Sequence, residues 1–186
     1  RKLNRIIDHA KDDLTITVEA GIPLADLQTA LAEHNQWLAV DWPWGTHTKE
    51  QSHNCGSIGG LFSRGLSGSL RQRYMGIRDQ LIGIGLVRTD GINAHAGGKV
   101  VKNVAGYDLM RLLCGSWGSL ALITEVTFRT QPIKKVYASI QANASVLSLE
   151  SWRKELLHSS FTPEFIDWVN NGQESCREIW KFSCQI

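Results

Sequence analysis

Two stretches of small residues carry the types and spacing that could do chemistry with a nucleotide. The first is Gly56-Ser57-Ile58-Gly59-Gly60 with its continuation Arg64-Gly65-Leu66-Ser67-Gly68, and the second is Gly115-Ser116-Trp117-Gly118-Ser119-Leu120. Glycines leave backbone N–H groups unshielded. Consecutive amides turned into one concavity bind an anion such as a pyrophosphate without a lysine, and neighbouring serine hydroxyls add donors. The first stretch is too glycine-dense for a free helix and too apolar for a linker, so it reads as backbone built to approach something closely. Two tight turns with no ligand satisfy the same composition equally well.

The common nucleotide signatures do not fit. The chain has no Gly-x-x-x-x-Gly-Lys-Ser/Thr run, and Gly83-Ile84-Gly85-Leu86-Val87-Arg88 lacks the third glycine of the dinucleotide fingerprint, which argues against a P-loop or an NAD site. Those glycines more simply let a strand pass close to neighbouring backbone. For proton transfer the candidates are His47, His53 and His95, each of which reads more simply as a surface or loop residue. Tyr107 and Asp108 suit helix packing and capping as well as catalysis, and Lys99 and Lys102 suit an anionic ligand or plain solvation alike, so no catalytic group is assigned. Of the seven tryptophans, Trp37, Trp117, Trp152 and Trp168 lie in or beside apolar periodic segments and are expected in the core rather than on a stacking surface.

Hydrophobic periodicity supplies the elements that must hold these residues. Residues 14–20 alternate apolar and polar with β-branched bias, the pattern of a strand buried on one face. Leu24, Leu27, Ala30 and Leu31 behind Pro23 make an amphipathic helix that closes at His34-Asn35. Residues 40–55, with Trp42, Trp44 and His47, show no period and read as a loop. Leu81–Arg88 is a buried-strand pattern, with Asp90-Gly91 turning it into residues 93–96. Residues 107–113 form a short helix with Leu109, Leu112 and Leu113 inward and Gly115 as its left-handed cap. Residues 120–129 make a strand with Leu122, Thr124, Val126 and Phe128 on one face. After Pro132 the pattern changes: a strand at 136–140, a helix at 149–158, and a further helix capped by Thr162-Pro163-Glu164 and ending near Gly172. Residues 174–186 carry no period and are expected to be unstructured.

The chain has 186 residues, of which 42% are hydrophobic and 20% charged, and a formal net charge of +2, enough apolar content to bury a core. Acids and bases are interspersed, so no basic stripe points to nucleic acid. No apolar run is long enough to span a bilayer as a helix. The four cysteines, Cys55, Cys114, Cys176 and Cys184, form no Cys-x-x-Cys pair, which argues against a zinc site or a disulfide scaffold. The expected setting is cytoplasmic.

Three blocks in order, Lys102-Asn103-Val104-Ala105-Gly106-Tyr107-Asp108-Leu109, Gly115-Ser116-Trp117-Gly118-Ser119-Leu120 and Ile123-Thr124-Glu125, with Ser57-Ile58-Gly59-Gly60 before them, resemble the FAD-binding oxidoreductases of the p-cresol methylhydroxylase/vanillyl-alcohol oxidase type. The resemblance runs from about Leu3 to Pro132. Leu66-Ser67-Gly68, Arg78-Asp79-Gln80-Leu81-Ile82-Gly83 and Gly98-Lys99-Val100-Val101 draw it towards the flavin-binding E subunits of bacterial glycolate oxidases. It implies an α+β fold with FAD held between two subdomains, the first of them preceding Leu3 and largely missing here. Residues 1–132 would then be a partial FAD-binding domain and 133–186 the beginning of a substrate or cap domain. Carried over by position, Ser57, Ile58, Gly59, Gly60, Gly65 and Ser67 would line the pyrophosphate, ribityl chain and flavin. Gly115, Ser116, Gly118 and Ser119 would form a second wall, with the Ile123 backbone near the nucleotide. Arg64 stands where the family has a small, threonine-like residue, and residues 44–54 depart from the family pattern. The implied activity is oxidation of glycolate or a similar 2-hydroxy acid, beside a homologous flavoprotein subunit and an iron–sulfur subunit that would hold the protein peripherally at the inner face of the membrane. A non-catalytic assembly subunit and an inactive fragment are the alternatives.

Overall fold

The computed structural model describes residues 3–41, 56–98, 108–135, 137–170 and 176–183. The chain divides into two compact units, Arg1–Ile133 and Lys134–Ile186. His47, His53, Lys99, Lys102, Tyr107, Trp42 and Trp44 lie outside the described residues.

The first unit runs β1 (Ile6–Ala10), β2 (Thr15–Glu19), α1 (Leu24–Ala32), β3 (Gln36–Trp37), α2 (Ile58–Arg64), α3 (Arg71–Tyr74), α4 (Ile77–Gln80), β4 (Leu81–Arg88), β5 (Asn93–Gly97), α5 (Leu109–Leu113), β6 (Ala121–Arg129) and β7 (Gln131–Pro132). Five strands form an antiparallel sheet in the order β1-β2-β6-β4-β5. Its register sets Ile16 against Phe128 and Val18 against Val126, with Val126 in turn against Ile84, so alternate apolar residues line one face. That face is covered by Leu24, Leu27 and Leu31 of α1 and by Ile58, Leu61 and Phe62 of α2, with Phe62 meeting Phe128 edge to face at 6.5 Å. The hairpin at Asp90-Gly91 forms as expected, Gly91 taking φ 81° and the Asp90 carboxylate accepting from the Ile92 amide.

β2 is buried along its whole length rather than on one face. On the polar side of the sheet the Thr17 and Thr127 hydroxyls pair at 2.9 Å, and the β4 glycines make room for their neighbours' side chains. A Cβ at Gly83 would meet Thr127 Oγ1 at 3.2 Å and one at Gly85 would meet Glu125 Cγ at 2.5 Å. Gly85 thus accommodates a side chain of β6, while Gly83 also lies close to neighbouring backbone as expected, a Cβ there coming 3.4 Å from the Gly98 nitrogen. Gln36 closes one end of the unit, accepting from Thr130 Oγ1 at 2.7 Å and donating to the Lys11 carbonyl at 2.8 Å.

β6 departs from the simple alternation its sequence suggests. Between the pairs Gly85–Glu125 and Leu86–Ile123 the register shifts by one residue, a bulge at Thr124 whose carbonyl accepts from the Ala20 amide. An extra residue reverses which side chains face the core. Val126 and Phe128 stay inside, Ile123 takes the next core position, and Leu122, expected on the same face as Val126, is 63% exposed. In α5 Leu113 is buried as expected but Leu112 is exposed, because the helix is a single short turn and Met110 takes the place against the core.

The second unit comprises β8 (Tyr137–Ala144), α6 (Val146–His158), β9 (Pro163–Asn170) and β10 (Cys176–Ser183), the strands ordered β8-β10-β9 and antiparallel. Ser145 caps α6 by accepting from the Ser148 amide, and Leu149 and Leu156 are its buried residues. Two expectations are corrected here. The segment behind Thr162 is the strand β9, not a helix, and residues 174–186 contain the strand β10 instead of being unstructured. Phe165, Ile166, Trp168, Ile179, Trp180 and Phe182 are strand formers that need a partner, and each strand finds it in the other, Trp180 opposite Ile166. Among the described residues no helix is long and apolar enough to cross a membrane.

Candidate functional site

The site starts where β2 runs out. The chain turns at Ala20-Gly21-Ile22, the Ile22 amide returning to the Glu19 carbonyl at 3.1 Å, and the N-terminus of α2 sits directly on that turn. The Ile58 amide donates to the Ile22 carbonyl at 3.0 Å and the Gly59 amide to the Ala20 carbonyl at 2.8 Å, while the Gly60 amide donates to Ser57 Oγ at 3.2 Å. A Cβ on Gly59 would lie 2.7 Å from Ala20 Cβ. The glycine-dense stretch is thus the start of a helix, and what it approaches closely is Ala20 of its own chain. The expectation that its amides stand unshielded for an anion is corrected: those of Ile58, Gly59 and Gly60 are all spent inside the fold.

The second stretch follows α5, which Asp108 caps through its bond from the Arg111 amide at 3.1 Å and an ion pair with the Arg111 guanidinium. This accounts for Asp108 structurally. Gly115 turns the chain with φ 79° and Gly118 with φ 74°, and Ser119 closes the bend by donating its amide and hydroxyl to the Ser116 carbonyl. Positive φ at those two positions is what glycine supplies. The Gly115 and Gly118 amides have no hydrogen-bond partner among the described residues. Ser116 Oγ is buried and likewise unpartnered among them.

The fold brings the two stretches together. The Trp117 amide donates to the Ser63 carbonyl at 2.9 Å. Gly65, the left-handed cap of α2, packs so closely on the second bend that a Cβ there would lie 3.2 Å from the Gly115 nitrogen. Between them opens a cleft of about 370 Å³, within the size range of small-molecule sites. Ser57, Gly59, Gly60 and Ser63 line it from the first stretch, and Gly118, Ala121, Leu122 and Ile123 from the second. Leu3, Ala20 and Gly21 complete the wall.

Of the residues expected from the sequence, Ser57, Gly59, Gly60, Gly118 and Ile123 therefore meet at one cleft. Ile58 is wholly buried in the core and offers the site only its backbone. Gly65, Gly115, Ser116 and Ser119 shape the second bend without lining the cleft. Ser67 lies elsewhere, in a small depression with Asp41, Gly68 and Arg71. His95 stands 3.6 Å from the Glu125 carboxylate on β5, away from the cleft lining. Arg64 lies with its guanidinium 5.3 Å over the Trp117 ring. Trp37 packs edge to face on Tyr74 but is half-buried and outside the core cluster, and Trp117, Trp152 and Trp168 are exposed. Trp117 rides a bend instead of a helix, and Trp152 is not among the buried residues of α6. Sequence reasoning missed Leu3, Ala20, Gly21, Ser63, Ala121 and Leu122. Ala20 could have been found from its place at the end of a strand facing a glycine pair, whereas Leu122 depends on the bulge.

Electrostatically the cleft is bland, since no titratable side chain lines it among the described residues. Next to it Arg5 donates to Glu19 through Nη2 at 2.9 Å and through its amide at 2.8 Å, which holds the Glu19 carboxyl below the usual carboxylate range. Burial pushes the Cys114 thiol up. The residues present fit a flavin nucleotide in a restricted way. The surfaces of Gly60 and Gly118 are free of crowding from their own fold, and nothing lies within 4 Å of a Cβ built on Gly118, so a flat group can approach the backbone there.

The FAD binding domain family matches residues 1–97, a span that holds β2, α2 and the first bend. The glycolate oxidase subunit GlcE of Escherichia coli is 33% identical over 76% of this chain and 38% of its own length. The mitochondrial D-lactate dehydrogenase (cytochrome) of Arabidopsis thaliana is 36% identical over 66% of this chain and 20% of its own length, and the glycolate oxidase subunit GlcD of Bacillus subtilis is 30% identical over 80% and 31%. The chain thus spans well under half the length of these relatives. A solved structure of alkyldihydroxyacetonephosphate synthase shares the fold with a TM-score of 0.78 at 17% identity, over 98% of this chain and 37% of that one. The chain belongs to the FAD binding domain family, its fold is the α+β fold of the p-cresol methylhydroxylase type, and its cofactor is FAD.

Proposed function

We propose that this chain is the flavin-binding part of an oxidoreductase that removes a hydride equivalent from glycolate or a similar 2-hydroxy acid. The observation that carries the reading is the cleft itself, walled on two sides by the glycine stretches, in a chain whose relatives are named for glycolate and D-lactate, both small 2-hydroxy acids. Bound FAD would supply the electron acceptor for the substrate C–H bond.

The chain's own residues have a more limited task. Gly60 and Gly118 leave the backbone bare so that the cofactor lies against it, Ser57 and Ser63 bring hydroxyls to the cleft, and the unpartnered Gly118 amide is a donor for its polar groups. Gly65, Ser116 and Ser119 hold the two bends in register, and Ile123 fixes the start of β6. No titratable side chain lines the cleft among the described residues, so the group that takes the substrate hydroxyl proton is not assigned. In the same proposal residues 1–132 are the partial FAD-binding domain and 133–186 begin the substrate or cap domain. A homologous flavoprotein subunit and an iron–sulfur subunit take the electrons onward, at the inner face of the membrane.

The internally spent amides of α2 favour a second reading, an assembly subunit that binds FAD without turning over. One experiment separates the two. The full-length protein, reconstituted with FAD, is expected to be yellow, and anaerobic addition of glycolate or D-lactate is expected to bleach the flavin band. Flavin bound but never bleached supports the assembly subunit, and no flavin after reconstitution sinks both.

A further inference from the structure

Trp117 combines two features that are each unfavourable alone. Its side chain is 71% exposed, and its backbone sits at φ 55°, a left-handed conformation that bulky L-residues rarely adopt. The rest of the fold nonetheless pins it. Its amide donates to the Ser63 carbonyl at 2.9 Å, and the Arg64 guanidinium lies 5.3 Å from the ring centroid, close enough for a cation–π contact with one indole face. Ser63 and Gly118, the residues on either side of this arrangement, both line the cleft. An indole held at the rim of a binding cleft, with one face backed by a cation and most of its surface open, is a stacking platform.

We infer that Trp117 receives the adenine ring of FAD, with Arg64 holding the indole in place; the inference rests on the FAD-binding reading above. The open setting selects the adenine over the isoalloxazine. A redox-active ring needs a water-excluded position against substrate, whereas a purine stacks through one face and tolerates solvent on the other. The strain at residue 117 is then the cost of presenting the ring, and Arg64 has its purpose in the pair with Trp117.

The test is calorimetric titration of the full-length apoprotein with FAD, ADP and FMN for the wild type, W117F, W117L and R64Q. Phe and Leu both place an L side chain at the left-handed backbone and differ in having a π face. W117L is expected to weaken FAD and ADP by about tenfold, the usual scale of one base-on-aromatic stack. W117F should lose far less and R64Q an intermediate amount, with FMN, which has no adenine, unchanged throughout. Should W117L bind FAD and ADP like the wild type, or lose FMN as much as FAD, the platform is overturned while FAD binding stands. A wild type that binds neither FAD nor FMN overturns the flavin reading itself. If W117L fails to fold, R64Q decides on the same terms, unchanged FAD and ADP affinities counting against the platform.

Discussion

Arg5 lays its guanidinium against the Glu19 carboxylate, Nε and Nη2 donating to Oε1 at 3.2 and 2.9 Å while its own amide donates to Oε2 at 2.8 Å. Through this bond the segment that begins at Leu3 is fastened over the end of β2, and Leu3 thereby becomes a wall of the cleft. Arg5 is largely exposed and Glu19 is not, so the pair acts as a latch whose carboxylate half is sunk in the fold.

The latch makes stability depend on acid. Since Arg5 lowers the Glu19 pKa in the folded chain, the unfolded chain takes up a proton at higher pH than the folded one. The contribution is fully present above the ordinary glutamate pKa and is lost as pH falls through the lower, folded value. Thermal melts across the acidic range should show wild type losing more stability than E19Q, which lacks the titrating group. Equal slopes for the two would show that the latch contributes nothing.

Adjacent glycines should respond in opposite ways. Gly59 abuts Ala20, so G59V is expected to overpack the joint between α2 and β2 and to cost about 1–3 kcal/mol in urea unfolding. A Cβ on Gly60 meets only Ser57 Oγ, at 3.4 Å, so G60A should leave stability unchanged or raise it by up to about 1 kcal/mol, yet weaken FAD. Comparable destabilisation by both would refute the packing described for α2.

Ser57 caps α2 through the Gly60 amide. S57A is expected to cost about 1 kcal/mol, and S57D to restore most of it. If the alanine variant melts at the wild-type temperature, the cap is immaterial.

The bulge at Thr124 sets a third contrast. I123A should cost about 2–5 kcal/mol, as for a buried isoleucine, and L122S should fall within about 0.5 kcal/mol of wild type. The reverse ranking in chemical denaturation would restore the simple alternation along β6.

Local pattern was enough to read much of this architecture. β2, α1, the β4–β5 hairpin and α6 each carry their own period or turn residues, and Gly115 was legible as a left-handed cap because little else tolerates that backbone. Long-range facts were not legible. Which face Leu122 takes depends on a register shift against β4, and β9 and β10 became strands only through each other. For the site, residue type brought Gly60 and Gly118 to notice, but whether the α2 amides stood free depended on Ala20 and Ile22, more than thirty positions away in the chain.

In the second sheet β10, which follows β8 and β9 in the chain, lies between them. β10 pairs with β8 on one side and β9 on the other, so during synthesis the two flanking strands leave the ribosome with no neighbour to join and must wait for residues 176–183. Pairing of β8 and β9 is then rewarded only when β10 threads between them. A nick or stop codon ahead of Cys176 would leave behind a pair of bare strand edges, ready to pair with other chains.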